Sequence, residues 1–462
     1  MNSSLQEKIF AELEETKVLM RAADLARDHI RDAFDKRPFP TSENIDALAA
    51  LSGPVPQSPS DPATIIMDMQ RFAGDACVNA IGGRYFGFVT GGVLPIALAA
   101  RWLSDAWDQN APLFVTSPVA AVFEEVCEEW LRDMLRLPPE TVAGFVSGSS
   151  MGIYCGLAAA RYRLLQNKGW DINAKGLNGA PSLRVVAGRQ AHATVIKAIA
   201  LLGLGVDNID WADVDDRGCV TPETMPSIDD ATIVILQAGD VNSGAFDDFA
   251  GICPDAKGKG AWVHVDGAFG LWAAATERFA PLTAGMEDAT SWSVDAHKTL
   301  NTPYDNGIVF TRDKEALNNA LHAAGSYFVH GDRRDGMFYT PELSRRARAI
   351  ELWAVLKYLG QTGVEELVGA LHERSLQFAS ELREAGFEIA NDVVFNQTLV
   401  ACENDEKTQA VIKHIQDSGE CWIGGAKYQG RDVIRISVCS WATTEADVSR
   451  SVQAFVAARD AD

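Results

Sequence analysis

The chain has 462 residues, of which 47% are apolar and 23% charged, a composition typical of a soluble globular protein with two or three domains. Its 41 basic and 63 acidic residues give a formal net charge of −22. Nucleic acids and anionic membranes bind basic surfaces, so this charge argues against both kinds of partner. No apolar stretch is long enough to span a bilayer, and no signal peptide is predicted at the N-terminus.

The eight cysteines form no CxxC pair, and no cluster of Cys and His has the spacing of a zinc site. Most of them stand in apolar surroundings, which is typical of buried free thiols in a reducing compartment. We therefore expect no bound metal and a cytoplasmic protein.

The first segment, residues 1–75, is predicted to be an N-terminal helical arm and linker. Residues 1–35 carry apolar side chains such as Ile9 and Leu13 near helical spacing, which predicts an amphipathic helix. The Pro-rich stretch 52–62 predicts an extended connector. Because an apolar helix face needs a surface that covers it, we expect the arm to pack on a partner subunit.

The second segment, residues 76–315, is predicted to be a large α/β domain. Its short apolar runs alternate with helical patterns. Nearly continuous apolar runs are typical of strands buried on both faces of a parallel sheet. The predicted strands are 143–148, 183–188, 231–239, 261–268, 290–296 and 306–311.

The pattern changes near residue 316, and residues 316–462 are predicted to form a smaller α+β domain. Two long helical patterns, 344–360 and 363–386, come first. Strand-like segments and further helices follow. They are strands at 387–392, 393–402 and 433–440, and helices near 405–417 and at 444–460.

Four features lie at predicted strand ends, where α/β proteins place their ligands. The first is the turn SGSSMG at 147–152, where a strand ends and a helix begins. The free N–H groups of a helix N-terminus attract phosphate, and Gly148 lets the backbone approach closely. Ser149 and Ser150 can add hydroxyl donors. A plain N-cap at one of these serines is an equally good interpretation of the turn alone.

The second and third features are His192 and Asp266. His192 opens a predicted helix directly after a strand, where its imidazole can stack on a planar heteroaromatic ring or simply cap the helix. Asp266 ends an apolar strand, and a buried carboxylate is costly unless it is paired. A protonated pyridine nitrogen is a suitable partner, although an ion pair or an N-cap would also explain the residue. Ala268 is small enough to let the ring pack closely.

The fourth feature is Lys298, which follows His297 just after a predicted strand. A lysine at this place can act as an amine nucleophile, although an isolated buried lysine is more often part of a salt bridge. A phosphate cup, a stacking histidine, a strand-end aspartate and a lysine, each in a separate crossover, are what a pyridoxal-5′-phosphate (PLP) site needs. We therefore predict that PLP forms a Schiff base with Lys298.

These residues resemble the group II pyridoxal-dependent amino-acid decarboxylases, whose scaffold is PLP fold type I, the fold of aspartate aminotransferase. The resemblance runs from about residue 80 to the end of the chain. It includes the segments RYFGFVTGG, GSSMG, AGDVNSGAFDD, HVDGAFG, DAHKTL and LSRRARAIELWAVLKYLG. It implies a mostly parallel seven-stranded sheet flanked by helices, with an N-terminal helical arm and a smaller C-terminal domain.

The resemblance also implies roles for individual residues and a homodimer with shared active sites. The catalytic residues would be Lys298, His192, Asp266 and Tyr339, the last as a proton donor in the segment 329–343. The residues around PLP would be Lys298, Asp266, Ala268, His192, Gly148, Ser149, Ser150 and His297. The substrate would contact Arg435, which resembles an arginine aimed at the substrate carboxylate. From the residues themselves, Phe86 is a candidate for lining an aromatic-accepting pocket.

The resemblance implies α-decarboxylation of an amino acid through an external aldimine and a quinonoid. Another PLP reaction on the same scaffold is the first alternative: carbon–carbon lysis, amino transfer or oxidative deamination to an aldehyde. A PLP-binding protein without catalysis is the second alternative.

Overall fold

The computed structural model describes residues 4–321 and 333–461. The α-helices are α1 Leu5–Glu15, α2 Lys17–Asp32, α3 Ser42–Ala47, α4 Pro62–Ala73, α5 Pro95–Trp107, α6 Pro118–Met134, α7 Ser149–Asn167, α8 Ile172–Lys175, α9 Ala193–Leu201, α10 Phe249–Gly258, α11 Lys314–Ala320, α12 Ala349–Glu384, α13 Asp405–Ser418 and α14 Glu445–Asp460. The strands are β1 Val142–Val146, β2 Arg184–Gly188, β3 Ile209–Ala212, β4 Thr232–Gln237, β5 Trp262–Asp266, β6 Ser291–Asp295, β7 Gly307–Thr311, β8 Glu388–Ile389, β9 Gln397–Ala401, β10 Gly424–Tyr428 and β11 Arg431–Ser437.

Seven strands form the large sheet in the order β1-β7-β6-β5-β4-β2-β3. Six of them run in one direction, and β7 runs antiparallel to its neighbours β1 and β6. The predicted fold class, a mostly parallel seven-stranded sheet, is confirmed.

Alternate side chains of the central strands enter two apolar layers, as expected for a sheet covered on both faces. Ile233 and Ile235 of β4 lie in the cluster that includes side chains of α7 and α9. Val234 and Leu236 lie in the cluster that includes side chains of α6, α10 and α12. The sheet is therefore the middle layer of three, and its strand ends are free to carry a site.

A second, four-stranded antiparallel sheet has the order β10-β11-β9-β8 and packs with α12, α13 and α14 around its own apolar cluster. The predicted boundary between residues 315 and 316 falls inside α11, which packs on α7 beside the large sheet. The domain bounds 1–75, 76–315 and 316–462 stay predictions.

The single helix predicted for residues 1–35 is two helices, α1 and α2, which meet at Thr16. Thr16 has a φ of 52°, and this left-handed conformation ends α1. The helix α1 buries none of its side chains. Leu5, Ile9 and Leu13 are 63%, 53% and 64% exposed.

The two helices predicted at 344–360 and 363–386 form one element, α12, with a kink at Gly360, whose φ of 60° and ψ of −173° are not helical. Two strands were missed by the sequence patterns. They are β3 and β10, whose sequences IDWA and GGAKY lack a run of apolar residues.

Within residues 4–321 and 333–461, no helix is long and apolar enough to cross a membrane. The same residues contain no group of three or more His, Cys, Asp or Glu side chains placed to hold a metal ion. All eight cysteines are free.

Candidate active site

A cavity of about 350 Å3 lies at the carboxyl ends of β4, β5 and β6, beside β11 of the small sheet. Side chains from both sheets therefore share one space. Residues predicted for the site that line it are His192, Asp266, Ala268, Lys298 and Arg435. The other lining residues are Phe88, Val89, Gln237, Gly239, Val241 and Phe269.

Asp266 is the last residue of β5 and is buried. Burial raises the pKa of its carboxyl to about 6. The charge of Lys298 and an N–H donated by Ala268 at 3.2 Å oppose this rise. A carboxylate in this setting gains free energy from a cationic partner, and a protonated ring nitrogen is such a partner.

Lys298 lies in the loop that joins β6 to β7. The N–H groups of Ala296 and His297 both donate to the carbonyl of Asn306, at 3.0 and 3.1 Å, so the two ends of the loop are bonded to each other. Because β7 is antiparallel to β6, the loop leaves and re-enters the sheet at the same edge. This arrangement presents the lysine directly at the cavity.

The ion-pair partner of Lys298 is Asp295, a buried residue that ends β6 and that the sequence patterns did not single out. The Nζ of Lys298 lies 3.2 Å from Oδ2 of Asp295. The same carboxylate accepts the backbone N–H of Ser149 at 2.6 Å and the hydroxyl of Ser149 at 2.8 Å. Asp295 therefore joins the lysine to the N-terminus of α7.

The turn that was predicted to be a phosphate cup lies where β1 ends and α7 begins. A Cβ placed on Gly307 would lie 2.4 Å from the Cα of Gly148, so the two backbones meet at a distance that only a glycine at position 307 allows. The His297 ring lies close to the same turn, because a Cβ on Gly148 would meet its Cε1 at 3.2 Å. Ser149 is buried at this turn, whereas Ser150 is exposed.

His297 is buried, and burial lowers its pKa while Asp295 opposes the shift. Its Nδ1 accepts the backbone N–H of Asn306 at 3.1 Å. The neutral ring must then carry its proton on Nε2. That nitrogen lies 3.6 Å from Oδ2 of Asp295, so it faces the cup as a donor.

His192 is half-buried, caps a helix and faces the cavity. Its Nδ1 accepts the N–H of Thr194 at 3.3 Å, which makes it the N-cap of α9, and its ring lines the cavity. Burial and the charges of Lys298 and Arg435 lower its pKa. A neutral imidazole can stack on an aromatic ring without adding to the positive charge of the cavity.

Arg435 reaches the cavity from β11 of the small sheet. Its Nη1 donates to the carbonyl of Val241 at 3.2 Å. The buried carboxylate of Asp240 supports its charge, although burial lowers the pKa of the guanidinium. The chain thus places one guanidinium beside Lys298, where it can bind an anionic group of a ligand.

Gln237 ends β4 opposite Asp266 in the sheet register and is 6% exposed. Its side chain lines the cavity. Its backbone N–H donates to Asp247, but in the described part of the chain its carboxamide has no hydrogen-bond partner. Sequence reasoning passed over Gln237, which ends an apolar run but carries no charge that needs a partner.

Phe86 and Tyr339 are not among the residues that line the cavity. Phe86 is buried in the core of the small domain, where its ring packs edge-on against Phe378 at 4.9 Å. Tyr339 is buried beside α7, with the guanidinium of Arg334 at 3.9 Å from its ring. The start of the predicted segment 329–343, residues 329–332, lies outside the described residues.

A large sheet of this topology is that of PLP fold type I, and a lysine after β6 and an aspartate at the end of β5 lie where the predicted PLP site requires them. Solved structures agree on the fold. The chain superposes on Oryza sativa TDC with PLP and tryptamine with a TM-score of 0.88, 20% identity and coverage of 97% of this chain and 98% of that chain. For mouse CSAD the TM-score is 0.88, with 19% identity and coverage of 96% and 98%.

The chain belongs to the pyridoxal-dependent decarboxylase family, because the conserved domain of that family matches residues 46–401. It is 29% identical over 324 residues to acidic amino acid decarboxylase GADL1 of Xenopus tropicalis, which covers 66% of this chain and 62% of that protein. It is 27% identical over 368 residues to aromatic-L-amino-acid decarboxylase of Bacillus atrophaeus, which covers 75% and 73%. The match spans less than two thirds of the length of the first of these relatives. The predicted family and cofactor are confirmed.

Proposed function

We propose that this protein uses PLP to remove the α-carboxylate of an amino acid as carbon dioxide. The observation that carries the proposal is the meeting of Lys298, Asp266, His192 and Arg435 around one cavity at the strand ends. The family supports decarboxylation over other PLP reactions.

The residues present fit the cofactor. Gly148 and Gly307 add no side chains of their own where their backbones meet, and N–H groups at a helix N-terminus suit a phosphate. His297 adds a donor on Nε2, and Ser149 and Ser150 add hydroxyl groups. Asp266 is suited to the ring nitrogen, Ala268 to the ring face and Lys298 to the aldehyde.

When bound, PLP supplies an aldehyde that joins the substrate amine and a ring that accepts electrons from the breaking bond. Asp266 holds the proton on the ring nitrogen, because a buried carboxylate is stabilised by the cation opposite it. Lys298 would hold the cofactor through its amine. His192 covers the ring face as a neutral imidazole.

Arg435 orients the substrate. Its guanidinium can bind a carboxylate through two parallel hydrogen bonds, which fixes the direction of the group as well as its place. The bond that breaks must stand perpendicular to the cofactor ring, so orientation of the carboxylate decides which bond that is. We propose that Arg435, held by Val241 at 3.2 Å, sets this orientation.

The test is carbon dioxide release from a panel of acidic and aromatic amino acids, the classes named for the relatives. Lys298→Ala should abolish release and the visible absorbance of lysine-bound cofactor, while Lys197→Ala on the exposed face of α9 should change neither. If no amino acid loses carbon dioxide while the absorbance is normal, the proposal is wrong. A keto acid or an aldehyde as the product would then identify amino transfer or oxidative deamination.

We also propose a homodimer with shared active sites in the cytoplasm. The exposed apolar side chains of α1 support the dimer, because a helix with no buried residue gains nothing from the described part of its own chain. Light scattering tests it, and an active monomer at working concentration would contradict it. Eight free cysteines support the reducing compartment, which imaging of the tagged protein would test.

A further inference from the structure

Asp295 brings a fixed negative charge to the place where the phosphate of the cofactor is expected. The residue is 1% exposed, so its carboxylate is removed from water. It accepts both donors of Ser149, the N–H at 2.6 Å and the hydroxyl at 2.8 Å. A phosphate at the N-terminus of α7 needs those same two donors.

The carboxylate is held in this place from several sides. The backbone N–H of Asp295 donates to the carbonyl of Ala268 at 2.9 Å, and its own carbonyl accepts the indole N–H of Trp272 at 3.0 Å. A Cβ on Gly307 would meet Oδ1 of Asp295 at 2.8 Å. Because the backbone is fixed and the side chain fills the turn, Asp295 stays beside the cup.

Lys298, His297 and Asp266 face the carboxylate, and its charge also acts on His192, Tyr304 and Cys439. Lys298 lies 3.2 Å from Oδ2, and Nε2 of His297 lies 3.6 Å from the same oxygen. Asp266 is near enough for the charge of Asp295 to help raise its pKa. Lys298 is thus the cation that balances Asp295 most directly.

We propose that Asp295 is a positioning residue that holds Lys298 in an ion pair at 3.2 Å and competes with the cofactor phosphate for the two donors of Ser149. Lys298 would have to leave this ion pair and give one proton to solvent before its amine could form the C=N bond to the cofactor aldehyde with loss of one water. Asp295 should therefore slow the attachment of the aldehyde and weaken the binding of the phosphate.

This inference rests on the proposed cofactor site but not on the reaction, so its test measures binding and not carbon dioxide. The full chain, freed of cofactor by dialysis, is titrated with PLP and separately with pyridoxal, which lacks the phosphate. Asp295→Asn removes the charge and keeps the shape. Asp248→Asn is the matched control, because Asp248 also caps a helix by accepting a backbone N–H, at 2.9 Å, in α10. Binding of PLP by the unaltered chain tests the site itself.

We expect Asp295→Asn to bind PLP at least tenfold more tightly than the unaltered chain and Asp248→Asn to bind it equally. Pyridoxal should react several-fold faster with Asp295→Asn, because Lys298 is then no longer held in the ion pair with residue 295. The gain for PLP should exceed the gain for pyridoxal, since only PLP brings a phosphate to the cup.

Unchanged or weaker PLP binding by Asp295→Asn would overturn the competition for Ser149. An unchanged rate with pyridoxal would overturn the pairing with Lys298. If the asparagine variant does not fold, Asp295→Ala removes the same charge, and the proposal requires the same faster reaction with pyridoxal. A slower reaction by the alanine variant would contradict it.

Discussion

The carboxyl of Asp266 shows what one buried group contributes at the site. Its pKa of about 6 lies above the ordinary value of 3.8 because burial disfavours its charge. The folded chain therefore binds this proton more tightly than the unfolded chain does. The stability that the proton confers is present below pH 4 and is lost as the pH rises through 6.

This difference predicts the pH dependence of folding in the full chain without added cofactor. The contribution of Asp266 to the free energy of unfolding should fall by about 2 kcal/mol between pH 4 and pH 6. Asp266→Asn, which does not titrate, should lack this fall. Urea unfolding of both proteins at several pH values measures the difference between them. Parallel curves for the two proteins would contradict the prediction.

The sequence patterns identified some residues of the site and missed others. Lys298, Asp266 and His192 stood at the ends of apolar runs, where a polar side chain needs an explanation. Asp295 and Gln237 also end strands, but their partners are not local: Asp295 bonds to Ser149, which is 146 residues away in the chain. Contacts of that kind depend on strand order, which the patterns did not provide.

At the scale of elements, most of the residues proposed to hold the cofactor lie where β1 and β6 end and β7 begins. The antiparallel β7 places Gly307 beside Gly148 at the end of β1. Six of the seven strands of this sheet were predicted from their apolar runs alone. Short strands with few apolar residues, β3 and β10, were missed because their stability comes from pairing with neighbours.

Because the backbones of Gly307 and Gly148 approach each other closely, one added methyl group at residue 307 should lower the stability of the chain. Gly307→Ala would place its Cβ 2.4 Å from the Cα of Gly148, so the strands must separate or the cup must deform. We expect a loss of about 1–3 kcal/mol in the free energy of unfolding and weaker PLP binding. Gly424→Ala is the control, because Gly424 also begins a strand and nothing lies within 4 Å of its Cβ. Equal stability of the two variants would contradict the prediction.

At the scale of the whole molecule, residues of both sheets line the cavity, and the N-terminal arm has a separate exposed apolar surface. Arg435 comes from the small sheet and Lys298 from the large one. The exposed apolar face of α1 belongs to neither sheet. Periodicity predicted this face, but not the break at Thr16 that divides the arm into two helices.

We predict that a single substitution in α1 of the arm changes the oligomeric state. Leu13→Glu places a charge on the apolar face of α1, where Leu13 is 64% exposed, so it should weaken the dimer without unfolding the chain. Val55→Glu is the control, because Val55 is 81% exposed in the connector. Light scattering should show a monomer at low concentration for Leu13→Glu alone. A dimer that survives this substitution would show that α1 is not the interface.

The bonded ends of the Lys298 loop have a consequence for the entropy of cofactor binding. Ala296 and His297 both donate to Asn306, which fixes the backbone on each side of the lysine before any ligand arrives. Ordering one residue of a free loop costs about 1–2 kcal/mol. In this loop the conformational entropy of the backbone is lost when the chain folds and not when the ligand binds. The backbone of the lysine is therefore pre-organised, and only its four-carbon side chain loses conformational freedom on binding.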